Sequence, residues 1–334
     1  IITDETAKTN RASYLKLMFW CFTAISLLLA TIFGYALPEW FVYHKSMENN
    51  HEEMEMPAEN QEIKTELNFK KPLTAGGEQI FTITLKDENG RPLADLETGH
   101  DRILHAVIIS EDLKTFNHSH PEDFDVVTLE NINKAEFKIK YNFPKATRYL
   151  IAVNFLHQNH SIEKQFIVNV SGKKEKVLIE KNLSLNKKFE DYSVALETNP
   201  IQPLSGEETA LKYLIKKGGA PVNDMEYYLD APMHLSVVSA DLSAFIHTHG
   251  EVSQTFRALN AAPSILLNPA QAHGLEEIKF GPEIKAHIIF PYPGIYKIFG
   301  EFKHQGKVIL TDFMVEVGLG KNTGIQMPAP SHSH

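Results

Sequence analysis

The stretch His105-Ala-Val-Ile-Ile-Ser-Glu-Asp-Leu-Lys-Thr-Phe-Asn-His-Ser-His-Pro-Glu122 returns 129 positions later as His234-Leu-Ser-Val-Val-Ser-Ala-Asp-Leu-Ser-Ala-Phe-Ile-His-Thr-His-Gly-Glu251. Outward from this block the same offset places Gly77-Glu78 on Gly206-Glu207, Gly90 on Gly219, Pro92 on Pro221, Asp95 on Asp224 and Asp101 on Asp230. After an insertion of 18 residues in the second copy the match resumes at an offset of 147. There Phe143-Pro144 meets Phe290-Pro291, Tyr149 meets Tyr296, Phe155-Leu156-His157-Gln158 meets Phe302-Lys303-His304-Gln305, and Phe166 meets Phe313. Self-similarity of this kind means one module used twice.

Within each copy the pattern is that of strands. The runs ILHAVIIS, AEFKIKYNF, RYLIAVNFL and EKQFIVNV are short and rich in β-branched and aromatic residues. Turn residues separate them, as at Asp87–Pro92, Lys217–Pro221 and His304–Gly306. About seven strands in roughly 110 residues read as an immunoglobulin-like sandwich. The fold class expected is therefore all-β, with two tandem immunoglobulin-like β-sandwich modules after one N-terminal transmembrane helix. The modules are expected at residues 62–172 and 189–318, with a charged linker at 173–188 and a Gly/Pro/His tail at 319–334.

The helix is read from Leu17–Leu37, a run of 21 residues without a charge. At 1.5 Å per residue it spans roughly 30 Å, the thickness of a bilayer's hydrocarbon. Trp20, Trp40 and Tyr43 near its ends suit the membrane interface, and Lys8, Arg11 and Lys16 precede it while Glu residues follow. By the positive-inside rule residues 1–16 are cytoplasmic and both modules lie outside, on a single-pass cell-membrane anchor, with an acidic spacer at 38–61. The formal net charge of −9 argues against nucleic acid as a partner, because phosphate binding needs clustered Lys and Arg. The single cysteine, Cys21, falls in the anchor, so thiolate sites in the modules are excluded.

Histidine, with 16 copies, is the abundant candidate ligand. Four recur in register: His105, His118, His120 and His157 in the first copy, and His234, His247, His249 and His304 in the second. Residues i and i+2 of a strand share a face, so His118 and His120 can present two imidazoles side by side. A hairpin around Ser110-Glu111-Asp112-Leu113 sets His105 opposite His118, close enough for both rings to reach one ion. His157 then arrives from an adjacent strand, as a fourth ligand or as an outer group that orients one. A lone histidine in a strand is more often a packing residue than a ligand, and an isolated His-x-His is a weak signal. Here the whole set recurs, while His100, His160, His273 and His287 do not. Asp112 and Asp241 read as caps of a tight turn, with Leu113 and Phe116 filling the core beneath. Glu122 and Glu251 are either acceptors for a ring N–H or surface residues. Asp101 and Asp230 read as loop residues, with contact to the site as the lesser alternative.

Copper is the metal expected and zinc the alternative, since imidazole serves both and thioethers select soft ions. Met47, His51, Met54 and Met56 of the spacer, and Met327, His332 and His334 of the tail, are read as either a copper-collecting arm or plain polar segments. With these features the chain resembles extracytoplasmic copper-handling β-sandwich proteins of the CopC, YtkA-like and FixH-like groups. The resemblance covers both modules and rests on an anchored sandwich, the lack of a useful cysteine, and His with Met as ligands. It implies metal buffering, delivery or resistance rather than turnover, with a membrane metalloenzyme or transporter as candidate recipient. No ligand motif of those groups carries over residue by residue. Two rival classes remain open. One is a copper redox enzyme of superoxide-dismutase type, for which the bridging histidine and further zinc ligands are not found; a cupin-like dioxygenase would need its Glu further from the His-x-His than Glu122 and Glu251 are. The other is a structural or sensor ectodomain without metal.

Overall fold

A computed structural model of the chain describes residues 63–173, 176–252 and 279–321. The expected transmembrane helix at 17–37, the Met/His spacer, His273 and most of the tail lie outside the described residues. Among the described residues no helix is long and apolar enough to cross a membrane.

The chain is all-β, and the duplicated sequence folds into two halves with matching strands. In the first, β1 (Lys64–Phe69), β2 (Glu78–Lys86) and β6 (Glu136–Asn142) form one antiparallel sheet in the order β1-β2-β6. The facing sheet contains β4 (His105–Ser110), β5 (Phe116–Ser119), β7 (Arg148–His157) and β8 (His160–Asn169), ordered β5-β4-β7-β8. The two-residue β3 (Leu96–Glu97) pairs with the far end of β7. Phe81, Ile83, Phe137 and Ile139 from the first sheet meet Ile108, Tyr149 and Ile151 from the second in one core. Between β5 and β6 come a single 3-10 turn, Pro121–Asp123, and the short helix α1 (Leu129–Lys134).

The second half repeats this plan. Its outer sheet holds β9 (Asn186–Phe189), β10 (Tyr192–Asn199), β11 (Glu208–Lys217), β12 (Ala220–Pro221) and β15 (Glu283–Ile289), in which β11 pairs with β10, β12 and β15. The other sheet runs β14-β13-β16-β17, with β13 (His234–Ser239), β14 (Phe245–His249), β16 (Gly294–His304) and β17 (Lys307–Val317). Leu211, Tyr213 and Ile284 pack there against Leu235, Tyr296, Ile298 and Phe313. Each half is thus a β-sandwich, and in each a tyrosine fastens the start of a long strand. The Tyr149 hydroxyl donates to the Lys145 carbonyl at 3.2 Å and accepts from its N–H at 3.1 Å. Tyr296 makes the same pair of bonds to Tyr292 at 2.9 and 3.2 Å.

Both sandwiches belong to one compact unit, and a third core joins them. Alternate residues of a strand face opposite ways, so the sheet carrying β4 and β7 has a second face. Val107, Ile109, Leu150 and Ala152 of that face pack on Val238, Leu242, Phe245, Phe299 and Met314 of the second half. Covering both faces explains why all six residues of β4, and all six of β13, are buried. The two inner sheets therefore meet at a seam. Leu113 and Phe116 fill this seam rather than the core of their own sandwich, with Phe116 stacked on Phe299 at 4.5 Å between ring centroids.

Candidate metal centre

The hairpins that hold the histidines are set by their turns. Ser110 Oγ donates to Asp112 Oδ1 at 2.6 Å and the Lys114 N–H does so at 3.1 Å, tying the turn into a tight loop. Ser239, Asp241 and Ser243 repeat that arrangement at 2.6 and 3.0 Å. The resulting register pairs His234 with His249 and Ser236 with His247. In the first copy Ala106 pairs with Ser119 and Val107 with His118. His105 is therefore across from His120, with His118 on the diagonal; the turn lies one residue later than the sequence suggested.

His105 shares its strand face with Val107 and Ile109, and His234 shares its face with Ser236 and Val238, so both point into the seam. There the two His-x-His hairpins meet. Ring centroids of His105 and His234 are 6.0 Å apart, those of His118 and His234 are 5.6 Å, and those of His118 and His247 are 5.5 Å. Instead of one site in each module, six of the eight recurring histidines make one cluster between modules. His100 joins it, its ring 3.8 Å from that of His249. His100 does not recur, since Leu229 stands at the equivalent position. The signal that did recur was the turn around it: His100 and Asp101 have φ of 51° and 62°, and Leu229 and Asp230 have φ of 48° and 58°.

His157 and His304 are not part of the cluster. Each follows the period of Tyr149, Ile151 and Val153, or of Tyr296, Ile298 and Phe302, and so projects from the opposite face of its sheet. His304 is buried between the Tyr192 hydroxyl at 2.8 Å and Asp224 Oδ1 at 3.0 Å. His157 lies 3.4 Å from Asp95 Oδ1. Of the four histidines that recur in each copy, three therefore gather at the seam and one is packed inside each sandwich.

The first triad has the clearest chemistry. His105 Nε2 donates to the Gly99 carbonyl at 3.2 Å. His118 Nδ1 donates to Glu301 Oε2 at 2.7 Å, and His120 Nδ1 to Asp123 Oδ2 at 3.0 Å. Each ring has one N–H committed outward, which fixes its tautomer and turns its other nitrogen's lone pair inward. The three inward atoms, His105 Nδ1, His118 Nε2 and His120 Nε2, are separated by 3.0, 3.1 and 3.2 Å. Ligands at about 2 Å from one ion in a tetrahedral or trigonal set lie roughly 3.3–3.5 Å apart, close to this spacing. Asp123 also accepts the His120 N–H at 2.8 Å, so the residue that caps the 3-10 turn also orients the ring. Glu122 instead accepts the Ile103 N–H at 2.9 Å, and Glu251 pairs through its backbone with Lys285.

In the second copy His234 Nε2 donates to the carbonyls of Tyr228 and Leu229 at 3.0 and 3.1 Å, and its Nδ1 is 3.4 Å from His247 Nε2. Among the described residues three sets have ligand atoms within 4.8 Å of one another: His105/His118/His120, His118/His234/His247 and His100/His234/His249. Burial, then the positive neighbours a protonated ring would meet, pushes His105 and His249 down to about 3 and His234 down to about 2. The same causes lower His120 and His247. For these five rings the shift favours the neutral form, the one that binds a metal.

The chain matches the family DUF8832, described as a domain of unknown function, twice, over residues 58–172 and 187–318. It is a DUF8832 protein. The two matches fall one on each sandwich, so a single DUF8832 unit carries one His-x-His hairpin, and the seam is made by two units in tandem. No curated protein matches the chain. Among solved structures it is similar to the Escherichia coli adhesin FdeC, at 9% identity over 76% of this chain and 64% of that one, with a TM-score of 0.21. Trypsin-activated alpha-2-macroglobulin from Escherichia coli matches at 9% identity over 78% and 17%, TM-score 0.22. Dimeric latent PorU from Porphyromonas gingivalis matches at 8% identity over 80% and 21%, TM-score 0.24. The chain spans less than two thirds of each of these structures, and at such TM-scores they bear on neither its detailed fold nor its function.

Proposed function

We propose that this DUF8832 protein binds a transition metal, copper first and zinc as the alternative, on the histidine cluster at the seam, and acts in metal buffering, delivery or resistance. The observation that carries the reading is the first triad: three lone pairs converge within 3.2 Å while every outward N–H is satisfied. Without a cation or shared protons between them, three acceptors so close repel one another. An all-imidazole set suits copper and zinc, and the order of divalent affinities places copper above zinc.

Around this centre the finer fold reading is immunoglobulin-like, supported by the strand order and by the tyrosine that fastens the start of β7 and of β16. The anchored, extracytoplasmic placement rests on the apolar run Leu17–Leu37 and its flanking charges. A carrier on the outer face would pass its ion to a membrane metalloenzyme or transporter.

The test is metal content. Protein purified without chelators and the metal-stripped protein titrated with Cu(II) or Zn(II) should both carry metal. His105→Ala with His120→Ala should lose an ion while keeping a native circular dichroism spectrum. Metal-free protein that takes up neither ion would mean that the histidines only pack.

A further inference from the structure

Resting on that metal-binding reading, we propose that the second metal site is completed across the seam, by His100 of the first repeat with His234 and His249 of the second, and not by the second repeat's own His247. The argument begins with which nitrogens remain to bind. His234 gives Nε2 to the carbonyls of Tyr228 and Leu229, so only Nδ1 is left. His118 gives Nδ1 to Glu301, so only Nε2 is left, and that atom already faces His105 and His120. The set His118/His234/His247 would need both of these atoms at once. Filling it would strip His118 from the first triad and His234 from any second one, so it cannot coexist with either.

The set that competes with nothing in the first triad is His100/His234/His249. Its ligand atoms lie within 4.8 Å of one another. His249 Nε2 is buried with no hydrogen-bond partner, which leaves a polar atom inside the cluster that a metal would satisfy. The rings of His100 and His234 stand edge to face at 5.6 Å, and the His100 ring lies 3.8 Å from that of His249. A two-residue turn holds His100 here, with mutual hydrogen bonds between Gly99 and Arg102 at 2.9 and 3.1 Å and two residues in the left-handed conformation. The Gly99 carbonyl of that turn is the acceptor for His105, which ties the turn to the first triad. Two ions then sit side by side in the seam, one held by the first repeat alone and one that joins the repeats. His247 stands between them and belongs to neither.

Titration of the metal-stripped full chain with Cu(II) alone separates the possibilities. Wild type should bind two ions, His100→Asn one, and His247→Gln two. Asparagine tolerates the left-handed conformation at position 100, so the metal-free melt of H100N should match wild type; His100→Gln is the second variant if it does not. Two ions in H100N and one in H247Q would overturn the proposal in favour of a set confined to the second repeat. A wild type that binds one ion, lost on changing His120, would also overturn it while leaving the metal-binding function standing. Wild type that binds no copper would remove the function reading itself.

Discussion

Asp123 and Glu301 sit one step behind the first triad and reach it from different directions. Asp123 closes the turn that follows His120, whereas Glu301 crosses the seam from β16 to hold His118. Groups in this position fix ring orientation and raise ligand basicity, and losing one commonly weakens metal affinity about 10–100-fold. Glu301→Gln and Asp123→Asn should each show a drop of that size in competition with a chelator, with little change in fold. Affinities equal to wild type would mean that the two carboxylates are bystanders. The same rings set a pH dependence in the metal-free protein. Free imidazole has a pKa near 6.5, whereas burial holds His105 and His249 near 3 and His234 near 2. Between about 6.5 and 3 the unfolded chain therefore carries protons that the folded chain refuses. Stability is full above the free value and falls as pH drops through this window. Glu163, whose carboxyl burial raises to about 7, works in the opposite direction, but it is one group against several. Asp123, Glu301 and Arg102 are the other charges near the rings. Thermal melts of metal-free protein at pH 7, 6, 5 and 4 should decline steadily, and a flat series would contradict the burial of the cluster.

The hairpin is the element that turns a sequence motif into a cluster of converging imidazoles. Its register decides whether His105 meets the His-x-His at the end of β5, and the register rests on the Ser-x-Asp turn. Asp112 takes hydrogen bonds from Ser110 and Lys114 and an ion pair from Lys145 at 2.5 Å. Asp112→Ala leaves the Ser110 hydroxyl and the Lys114 N–H without their acceptor, a loss of about 1–3 kcal/mol. The expected outcome is a lower melting temperature together with weaker copper binding, because a slip in register moves His118 and His120 to the wrong face. A lower melt with unchanged copper affinity would show that the register survives without the turn. Much of this element was legible in the chain. The His-x-His spacing, the strand period and the turn residues all appear in the quoted block, and only the turn's position was off by one. The face of His157 was also readable, since it continues the buried period of Tyr149, Ile151, Val153 and Phe155. Recurrence alone groups His157 with the other three histidines, whereas the period sets it on the opposite face.

For the whole molecule, the seam makes the histidine cluster depend on how two modules stack. Phe299, 3% exposed, is stacked on Phe116 and shares the apolar seam with Val238 and Met314. Phe299→Ala should cost on the order of 3–5 kcal/mol if the seam packs like a core, and it should do so without touching a histidine. Loosening the seam withdraws Glu301 from His118 and His234 from His100. The expected result is a thermal transition that splits in two and a fall in copper stoichiometry from two ions to one. Unfolding in one step with both ions retained would mean that the modules are held together by something other than the seam.

The chain by itself determined that one strand-rich module is used twice, that each copy carries a His-x-His hairpin, and that neither copy contains a cysteine. Those properties are local: they follow from strand period, turn chemistry and composition, which neighbouring residues express together. What only the tertiary structure decided is that the two hairpins face each other. That outcome depends on side chains more than a hundred positions apart, such as Phe116 with Phe299 and His118 with Glu301. The repeat also obscured it. A duplication invites the expectation of a separate histidine set in each copy, whereas two copies stacked through one seam bring their histidines together. One copy supplies His100, Asp123 and Glu163 where the other has Leu229, Val252 and Leu310. The physical reason is that a strand has two faces: the period shows which residues go together, and only packing shows what each face meets.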